Sequence, residues 1–192
     1  MDFKKHLESA WHMMLTHIAS LIIMTLVMAV ISFCTLFVLT PVMMAGYMQA
    51  IVLMMRNGRE PTIQDLFSQM RLFLPLLGFA VVVVIAVMVG FKMLVLPGFI
   101  ISLGVAFACI YMLPLMTDQN LGLVDAFMRS WQLAIQDNIT DHIVVVILFI
   151  GLMAIGGIGF LFTQPFATVF LVSIYLERLQ TSTSTPAPPP VS

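Results

Sequence analysis

Charged residues are scarce in this sequence. They make up 9% of the 192 residues, while 61% are hydrophobic, and the mean hydropathy is +1.09. A typical soluble domain has about 25% charged residues, so this chain cannot cover its surface with side chains that favour water. We therefore expect the lipid bilayer to surround it. The net charge of −1 supplies no basic surface, and we expect no nucleic-acid partner.

Residues that carry chemistry are also few. The sequence has no Gly-rich phosphate loop, its apolar segments contain no paired carboxylates, and its histidines lack the spacing of metal ligands. We predict no catalytic site, no metal and no cofactor, and an enzyme ranks behind the functions below. Cys34 and Cys109 both lie in apolar segments, where small buried side chains are favoured over a disulfide.

The apolar segments lack ionisable side chains in their interiors. Ion-coupled transporters and proton relays usually keep such a residue at membrane depth, so the sequence argues against proton-coupled transport. A passive pore, an uncoupled lipid path or a lateral cavity stays open. Gln49 is the polar side chain most costly to bury, and we expect this buried polar site to hydrogen-bond to another helix.

Six apolar segments predict an all-α, polytopic membrane protein with about six membrane helices arranged as three helical hairpins. The first two are almost continuous, and their turn lies either near Ser32–Thr35 or at Pro41. The second and sixth are short for a full span, so four full spans with two partial ones is the alternative. The segments are 18–40, 42–55, 72–91, 98–116, 142–162 and 165–176.

The basic residues predict the orientation. With a cytoplasmic N-terminus, seven of the eight Lys and Arg residues fall on the inner side and only Lys92 falls outside, which follows the positive-inside rule. We expect both termini in the cytoplasm of a bacterium, the chain in its inner membrane, and tight outer turns near Pro41, at Pro97-Gly98 and near Gln164-Pro165. The stretch KMLVLPGFI would then be the turn of a hairpin, and the alternative is one long helix kinked at Pro97.

The linkers on the inner side predict amphipathic helices that lie in the membrane interface. TIQDLFSQMR begins with a capping box at Thr62 and Asp65, and LGLVDAFMRSWQLAIQ places Asp125 and Arg129 as an i,i+4 pair opposite an apolar stripe. The N-terminal MDFKKHLESAWHMM has similar spacing and lacks the pattern of a cleavable signal peptide. Candidate interaction residues on this face are Asp65, Phe67, Asp125, Phe127, Arg129 and Trp131.

These three amphipathic stretches align at a spacing of 60 residues: Phe3, Ile63 and Leu123 correspond, and each stretch precedes a hairpin. We therefore expect one membrane domain over residues 1–179, with a three-fold repeat or a chance pattern of apolar matches. The repeat units would be 1–56, 61–116 and 121–178. The segment 180–192 is rich in Pro, Ser and Thr and predicts a disordered tail.

Small residues recur every four positions in the fourth apolar segment. Gly98, Ser102 and Ala106 form one such ladder, and Gly104 with Ala108 forms another. Ladders of this kind let helix backbones approach closely. Packing inside the chain is favoured, and a surface for a partner subunit is the alternative.

Several motifs resemble those of a broad group of uncharacterised bacterial multi-pass membrane proteins, related to the membrane domain of some glycerophosphoryl diester phosphodiesterases. They are GREPTIQDLF, LVLPGFI, YMLPLMTDQNLGLVDAFMRSW and the QPF…IYLERL end of the last apolar segment, within residues 15–178. The resemblance implies a bacterial inner membrane and a lipid-related or scaffolding role. The chain lacks the carboxylates and histidines that diester hydrolysis requires, so that activity does not carry over.

The sequence favours a non-catalytic protein that scaffolds or modulates a membrane complex, with a membrane-protein partner or a second copy of itself. A passive transporter or channel for a small solute or lipid is the alternative.

Overall fold

The computed structural model describes residues 3–93, 95–136, 139–153 and 159–184. Within these ranges the chain forms nine α-helices and two short 3-10 helices, and it contains no β-strand. The α-helices are α1 (Phe3–Thr16), α2 (Ile18–Cys34), α3 (Thr40–Asn57), α4 (Phe73–Met93), α5 (Val95–Cys109), α6 (Met112–Asp118), α7 (Leu123–Gln136), α8 (Ile139–Met153) and α9 (Phe160–Ser184). The 3-10 helices are Ile63–Phe67 and Met70–Leu72.

Several helices are long and apolar enough to cross a membrane, so the prediction of an all-α chain with candidate membrane-spanning helices is confirmed. In the part of the chain that is described, three stretches meet this criterion: Ile63–Lys92, Leu96–Asp118 and Phe160–Gln180. Helices α1 and α2, bent by 86° at their junction, would together make a fourth. The arrangement of six spans in three hairpins stays a prediction.

Helices α3 and α9 form the centre of the core. The side chains of α9 from Ala167 to Tyr175 are almost all buried, and α3 buries Met43, Tyr47 and Ile51 completely. Two hydrogen bonds that involve buried polar side chains link the helices of the core, and such pairing offsets the cost of burying a polar group. The Thr25 and Tyr47 hydroxyls are 3.1 Å apart, and Gln164 Nε2 donates to Met44 Sδ at 3.1 Å.

The segment after α3 folds back onto the core. The predicted capping box at Thr62 and Asp65 is confirmed: Asp65 Oδ2 accepts from the Thr62 N–H and hydroxyl, each at 2.9 Å. A 3-10 turn follows in place of the continuous amphipathic helix that the apolar spacing predicts. Leu66 is fully buried, and a Cβ on Gly46 would overlap the carbonyl groups of Asp65 and Leu66. Close contact with Gly46 therefore draws this segment away from a purely interfacial position.

Helices α4 and α5 pack side by side, so one long helix kinked at Pro97 does not fit. Their contact is close where Gly90 faces Gly98, because a Cβ on Gly90 would lie 3.1 Å from the Gly98 Cα. Phe91 and Phe99 add an edge-to-face contact with ring centroids 5.4 Å apart. Outside this contact, the distal half of the hairpin exposes apolar side chains to its surroundings.

The turn between α2 and α3 is short and apolar. It occupies residues 35–39, between the two positions that the sequence suggests, and Pro41 lies in the first turn of α3. Leu36 and Phe37 have positive φ values of 49° and 65°, which L-residues rarely adopt. Leu36 is 84% exposed, so the tip of this hairpin presents hydrocarbon.

The predicted turn at Gln164-Pro165 is wrong, because Pro165 lies inside α9. Helix α8 ends at Met153 and α9 begins at Phe160, and residues 154–158 between them lie outside the described ranges. Helix α9 continues to Ser184, past the start of the predicted tail at residue 180, and the remaining tail residues 185–192 lie outside the described ranges.

The starts of three elements follow the 60-residue spacing of the sequence. Helix α1 begins at Phe3, the first 3-10 helix at Ile63 and α7 at Leu123, and α1 and α7 each have 14 residues. Helices α3 and α9 begin 120 residues apart, at Thr40 and Phe160. The three-fold repeat stays a prediction.

Candidate functional site: a polar cleft between α3, α7 and α9

A cleft of about 720 Å³ opens at the ends of three helices. It combines two guanidinium groups and two amides with aliphatic side chains. Helix α3 contributes Met55 and Arg56, the residue after α6 contributes Gln119, α7 contributes Arg129, and α9 contributes Leu176, Leu179 and Gln180. Such a lining suits an amphiphilic ligand, one with an anionic group and an apolar part.

Arg56 and Asp118 form an ion pair at the cleft. Arg56 Nη1 and Nη2 donate to the two carboxylate oxygens of Asp118 at 2.6 and 2.8 Å, a bidentate geometry. The Tyr175 hydroxyl donates to Asp118 Oδ2 at 3.1 Å. The Asp118 side chain is 5% exposed and that of Arg56 is 44% exposed. This network fixes the last turn of α3 to the end of α6 and to α9.

Arg178 is a buried cation close to the cleft. Its Nη1 donates to the Leu133 carbonyl at 2.5 Å, and its guanidinium lies 5.5 Å from the centroid of the Tyr111 ring. The carbonyl belongs to the last turns of α7, where the helix dipole favours a positive charge. Nε and Nη2 of Arg178 are also buried, and neither has a hydrogen-bond partner within the described ranges. The buried charge is therefore only partly compensated.

Further polar contacts hold the segments that follow α3 and α6 in place. Arg59 pairs with Asp65, Arg71 donates to the Asn120 side chain, and the Ser20 hydroxyl donates to Glu60 at 2.9 Å. The hydrogen bond that Arg59 donates to Asp65 raises the pKa of the Arg59 guanidinium above its ordinary value. These contacts occupy Arg59 and Arg71, which do not line the cleft.

Helix α7 has three distinct faces. Its small residues Ala126 and Ser130 face inward, and the Ser130 hydroxyl donates to the Ala108 carbonyl at 2.6 Å. Most of its large apolar residues are exposed, including Phe127 at 38% and Trp131 at 46%, whereas Leu133 is buried. The third face carries the exposed Asp125 and the partly exposed Arg129.

The predicted ion pair between Asp125 and Arg129 does not form. Arg129 Nη1 instead contacts Gln132 Oε1 at 3.5 Å, at the limit of a hydrogen bond. No carboxylate in the described part of the chain pairs with Arg129. The Arg129 guanidinium is therefore the least committed cation in the lining of the cleft.

The small-residue ladder of α5 divides between packed and open positions. Gly98 is buried against the Phe91 ring, the Ser102 hydroxyl donates to the Gly98 carbonyl at 2.8 Å, and Ala106 is half-buried. Ala108 is buried under α7. Gly104 has no neighbour within 4 Å of its Cβ position.

Gly104 forms the floor of an apolar groove between α5, α7 and α8, which has a volume of about 420 Å³. Phe107 and Trp131 meet edge to face at one end of it, with ring centroids 6.0 Å apart. The other lining residues are aliphatic: Ile100, Leu103, Ile143, Val146 and Ile147. We name this feature the α5–α7–α8 groove.

The remaining predicted site residues are spread over the molecule. Gln49 is partly buried on α3, and its side-chain oxygen has no partner among the residues described. Phe67 is 36% exposed, next to the buried Leu66. Cys34 is exposed, Cys109 is half-buried and both are free, so the disulfide alternative is wrong. The described ranges contain no group of three His, Cys, Asp or Glu residues that could hold a metal ion.

The cleft itself was not predicted from the sequence. Asp118, Arg129 and Arg178 are visible as charges at the ends of apolar segments, but the sequence does not show that Arg178 is buried. The signal that could have found it is its position in IYLERL, one helical turn after a buried tyrosine. Comparison with protein-family models, with curated proteins and with solved structures finds no match.

Proposed function

We propose that this protein is a non-catalytic integral protein of a bacterial inner membrane, which scaffolds or modulates a membrane complex. The observation that carries the proposal is the hairpin of α4 and α5. In Ile63–Lys92, only 11% of the 18-residue apolar stretch that could span a membrane is buried inside the protein. In Phe160–Gln180, the buried share of the corresponding stretch is 61%. A peripheral hairpin of this kind leaves most of its apolar surface available to helices of another membrane protein.

The hairpin also extends beyond the core. Thr40 and Pro41, at the start of α3, share an apolar cavity of about 350 Å³ with Val83 in the middle of α4 and Cys109 at the end of α5. The nine residues that follow Val83, through Lys92, would add about 14 Å of helix beyond that level. Apart from Lys92, the exposed side chains described on this distal part are apolar, and they include Val84, Ile85, Met88, Leu96, Phe99 and Leu103.

The proposed topology rests on the observation that the α4–α5 hairpin extends farther than the α2–α3 hairpin. Both termini lie in the cytoplasm, α4 and α5 cross the bilayer, and Lys92 lies at the far face. The α2–α3 hairpin enters from the cytoplasmic side and ends within the bilayer, since its tip is apolar and helix α3 starts level with the middle of α4. The alternative predicted from the sequence differs from this proposal, since it makes the second and sixth apolar segments, 42–55 and 165–176, the partial spans.

The proposed contact site is the α5–α7–α8 groove, and its proposed occupant is an apolar transmembrane helix of a partner protein. Among the described residues, the groove lining contains no charged side chain, and Gly104 leaves its floor open to close approach by a helix backbone. The family resemblance of the sequence, with its implied lipid-related or scaffolding role, agrees with this proposal. Phe127, one helical turn before Trp131 on the exposed apolar face of α7, supplies adjoining surface.

The test compares two glycines that both have open space at their Cβ positions. Gly104→Leu fills the groove, whereas Gly78→Leu adds the same side chain on α4, outside the groove. The protein is expressed at its natural level and purified in a mild detergent, and the proteins that accompany it are identified by mass spectrometry. We expect Gly104→Leu to lose a partner that the wild type and Gly78→Leu retain. Identical profiles for all three proteins would contradict the proposed contact site.

A passive transporter is the second candidate, and Gln49 is the observation in its favour. Its unpartnered side-chain oxygen is a hydrogen-bond acceptor within a core helix. Liposomes that contain only this protein would then show solute flux, and Gln49→Leu would abolish that flux while the fold persists. That result would replace the scaffold proposal.

A further inference from the structure

We propose that the cleft between α3, α7 and α9 binds a phosphate group, with an anionic phospholipid headgroup as the favoured source. Two arginines and two amides surround it, and all of them can donate hydrogen bonds to phosphate oxygens. This site is separate from the α5–α7–α8 groove, and it does not depend on the scaffold function.

The arginine side chains in and beside the cleft favour an anion. Arg56 is neutralised by Asp118, but Arg129 has only the long contact with Gln132, and Arg178 is paired with a carbonyl and an aromatic ring. An isolated buried cation is costly, and a nearby anion offsets part of that cost. The Nε and Nη2 atoms of Arg178, which have no partner in the described ranges, are a second sign of uncompensated positive charge here.

The apolar part of the lining favours a lipid over a soluble anion. Met55, Leu176 and Leu179 provide hydrocarbon surface in the same cleft. The cleft also lies at the ends of helices whose charged residues, under the positive-inside rule, lie at the cytoplasmic headgroup layer. A phospholipid there can place its phosphate near Arg129 and its glycerol and upper acyl carbons against these side chains.

The test measures lipid binding by native mass spectrometry of the full chain in detergent. The protein is titrated with phosphatidylglycerol, and in parallel with phosphatidylcholine as the zwitterionic control. Arg129→Gln removes the least committed cation of the cleft. Arg71→Gln removes one positive charge from the same side of the protein, but Arg71 does not line the cleft and its guanidinium contacts Asn120.

We expect phosphatidylglycerol to bind the wild type more tightly than phosphatidylcholine does. Arg129→Gln should weaken its binding by about fivefold, the upper end for one solvent-exposed ion pair, whereas Arg71→Gln should leave it unchanged. Equal weakening in the two variants would overturn the proposal, since it would show a general attraction of basic residues to anionic lipid. Unchanged binding in Arg129→Gln would overturn it as well.

A second arm identifies the source of the phosphate. Millimolar inorganic phosphate is added to lipid-depleted protein, and the thermal unfolding midpoint is followed for the wild type and for Arg129→Gln. Stabilisation of the wild type alone would support the site with a soluble phosphate as its ligand. Stabilisation by phosphatidylglycerol but not by phosphate would support the site with a lipid ligand. Stabilisation by neither ligand would overturn the proposal, whatever the outcome for the scaffold function.

Discussion

Replacing Gly46 by alanine should separate the 3-10 helix Ile63–Phe67 from α3. A Cβ at this position would lie 2.7 Å from the Leu66 carbonyl carbon, whereas nonbonded carbon atoms prefer about 3.5–4.0 Å. The two backbones must therefore move apart by roughly 1 Å. Neither can yield as a flexible side chain would, because the atoms in contact belong to the main chain.

The expected cost follows from the groups that this movement disturbs. Overpacking typically costs about 1–3 kcal/mol, and partial exposure of the fully buried Leu66 adds up to about 2 kcal/mol. The better helix propensity of alanine returns at most about 1 kcal/mol. We expect Gly46→Ala to lower the free energy of unfolding by about 2–4 kcal/mol.

The assay is unfolding of the purified protein in mixed detergent micelles, followed by the fluorescence of Trp11 and Trp131. Gly78→Ala is the matched control, since Gly78 also lies in a helix but has nothing within 4 Å of its Cβ position. Limited proteolysis near Phe67 should be faster only in Gly46→Ala. Equal stability of the two variants, with equal proteolysis, would refute the close packing of α3 against this segment.

Three further predictions concern topology and packing. In intact cells carrying Cys109→Ser, a membrane-impermeant maleimide should fail to label Cys34 but should label Lys92→Cys, because the α2–α3 tip ends within the bilayer; equal labelling of both positions would show that this hairpin crosses. Phe127→Asp should reduce expression and thermal stability far more than Arg129→Ala, because it places a charge on the exposed apolar face of α7; similar behaviour of the two would count against lipid contact there. Asp118→Asn should destabilise the fold by about 1–3 kcal/mol, because it breaks a pair whose carboxylate is buried while Arg56 stays partly solvated; wild-type thermal unfolding would mean that this pair contributes little.

The helices follow closely from the hydropathy of the sequence, because lipid-facing and core-facing segments alike must be apolar and helical. The interfacial stretch that begins at Leu123 forms α7, and Pro97 falls in the first turn of α5. The turn predicted at Gln164-Pro165 is wrong for a physical reason. Proline disrupts helices in water, but within membrane helices its freed backbone groups can be satisfied by neighbours, and α9 continues through it.

The spacing of apolar residues within one segment did not predict the contacts between distant segments. The apolar spacing of TIQDLFSQMR fits an interfacial helix, but its fold depends on Gly46, which lies about twenty residues earlier on another helix. The cleft likewise joins residues from α3, α7 and α9, and its buried Arg178 resembles any other charge at the end of an apolar segment. Sequence spacing describes one helix at a time, whereas these features arise between helices.

Site-specific photo-crosslinking in native membranes shows directly whether a partner helix docks in the α5–α7–α8 groove. A photoreactive amino acid is placed at Leu103, which lines the α5–α7–α8 groove, and at Leu74, which is 75% exposed at the opposite end of the hairpin. We expect one discrete protein adduct from position 103, with lipid adducts alone from position 74. Lipid adducts alone from both positions would contradict the claim that this groove docks a partner helix.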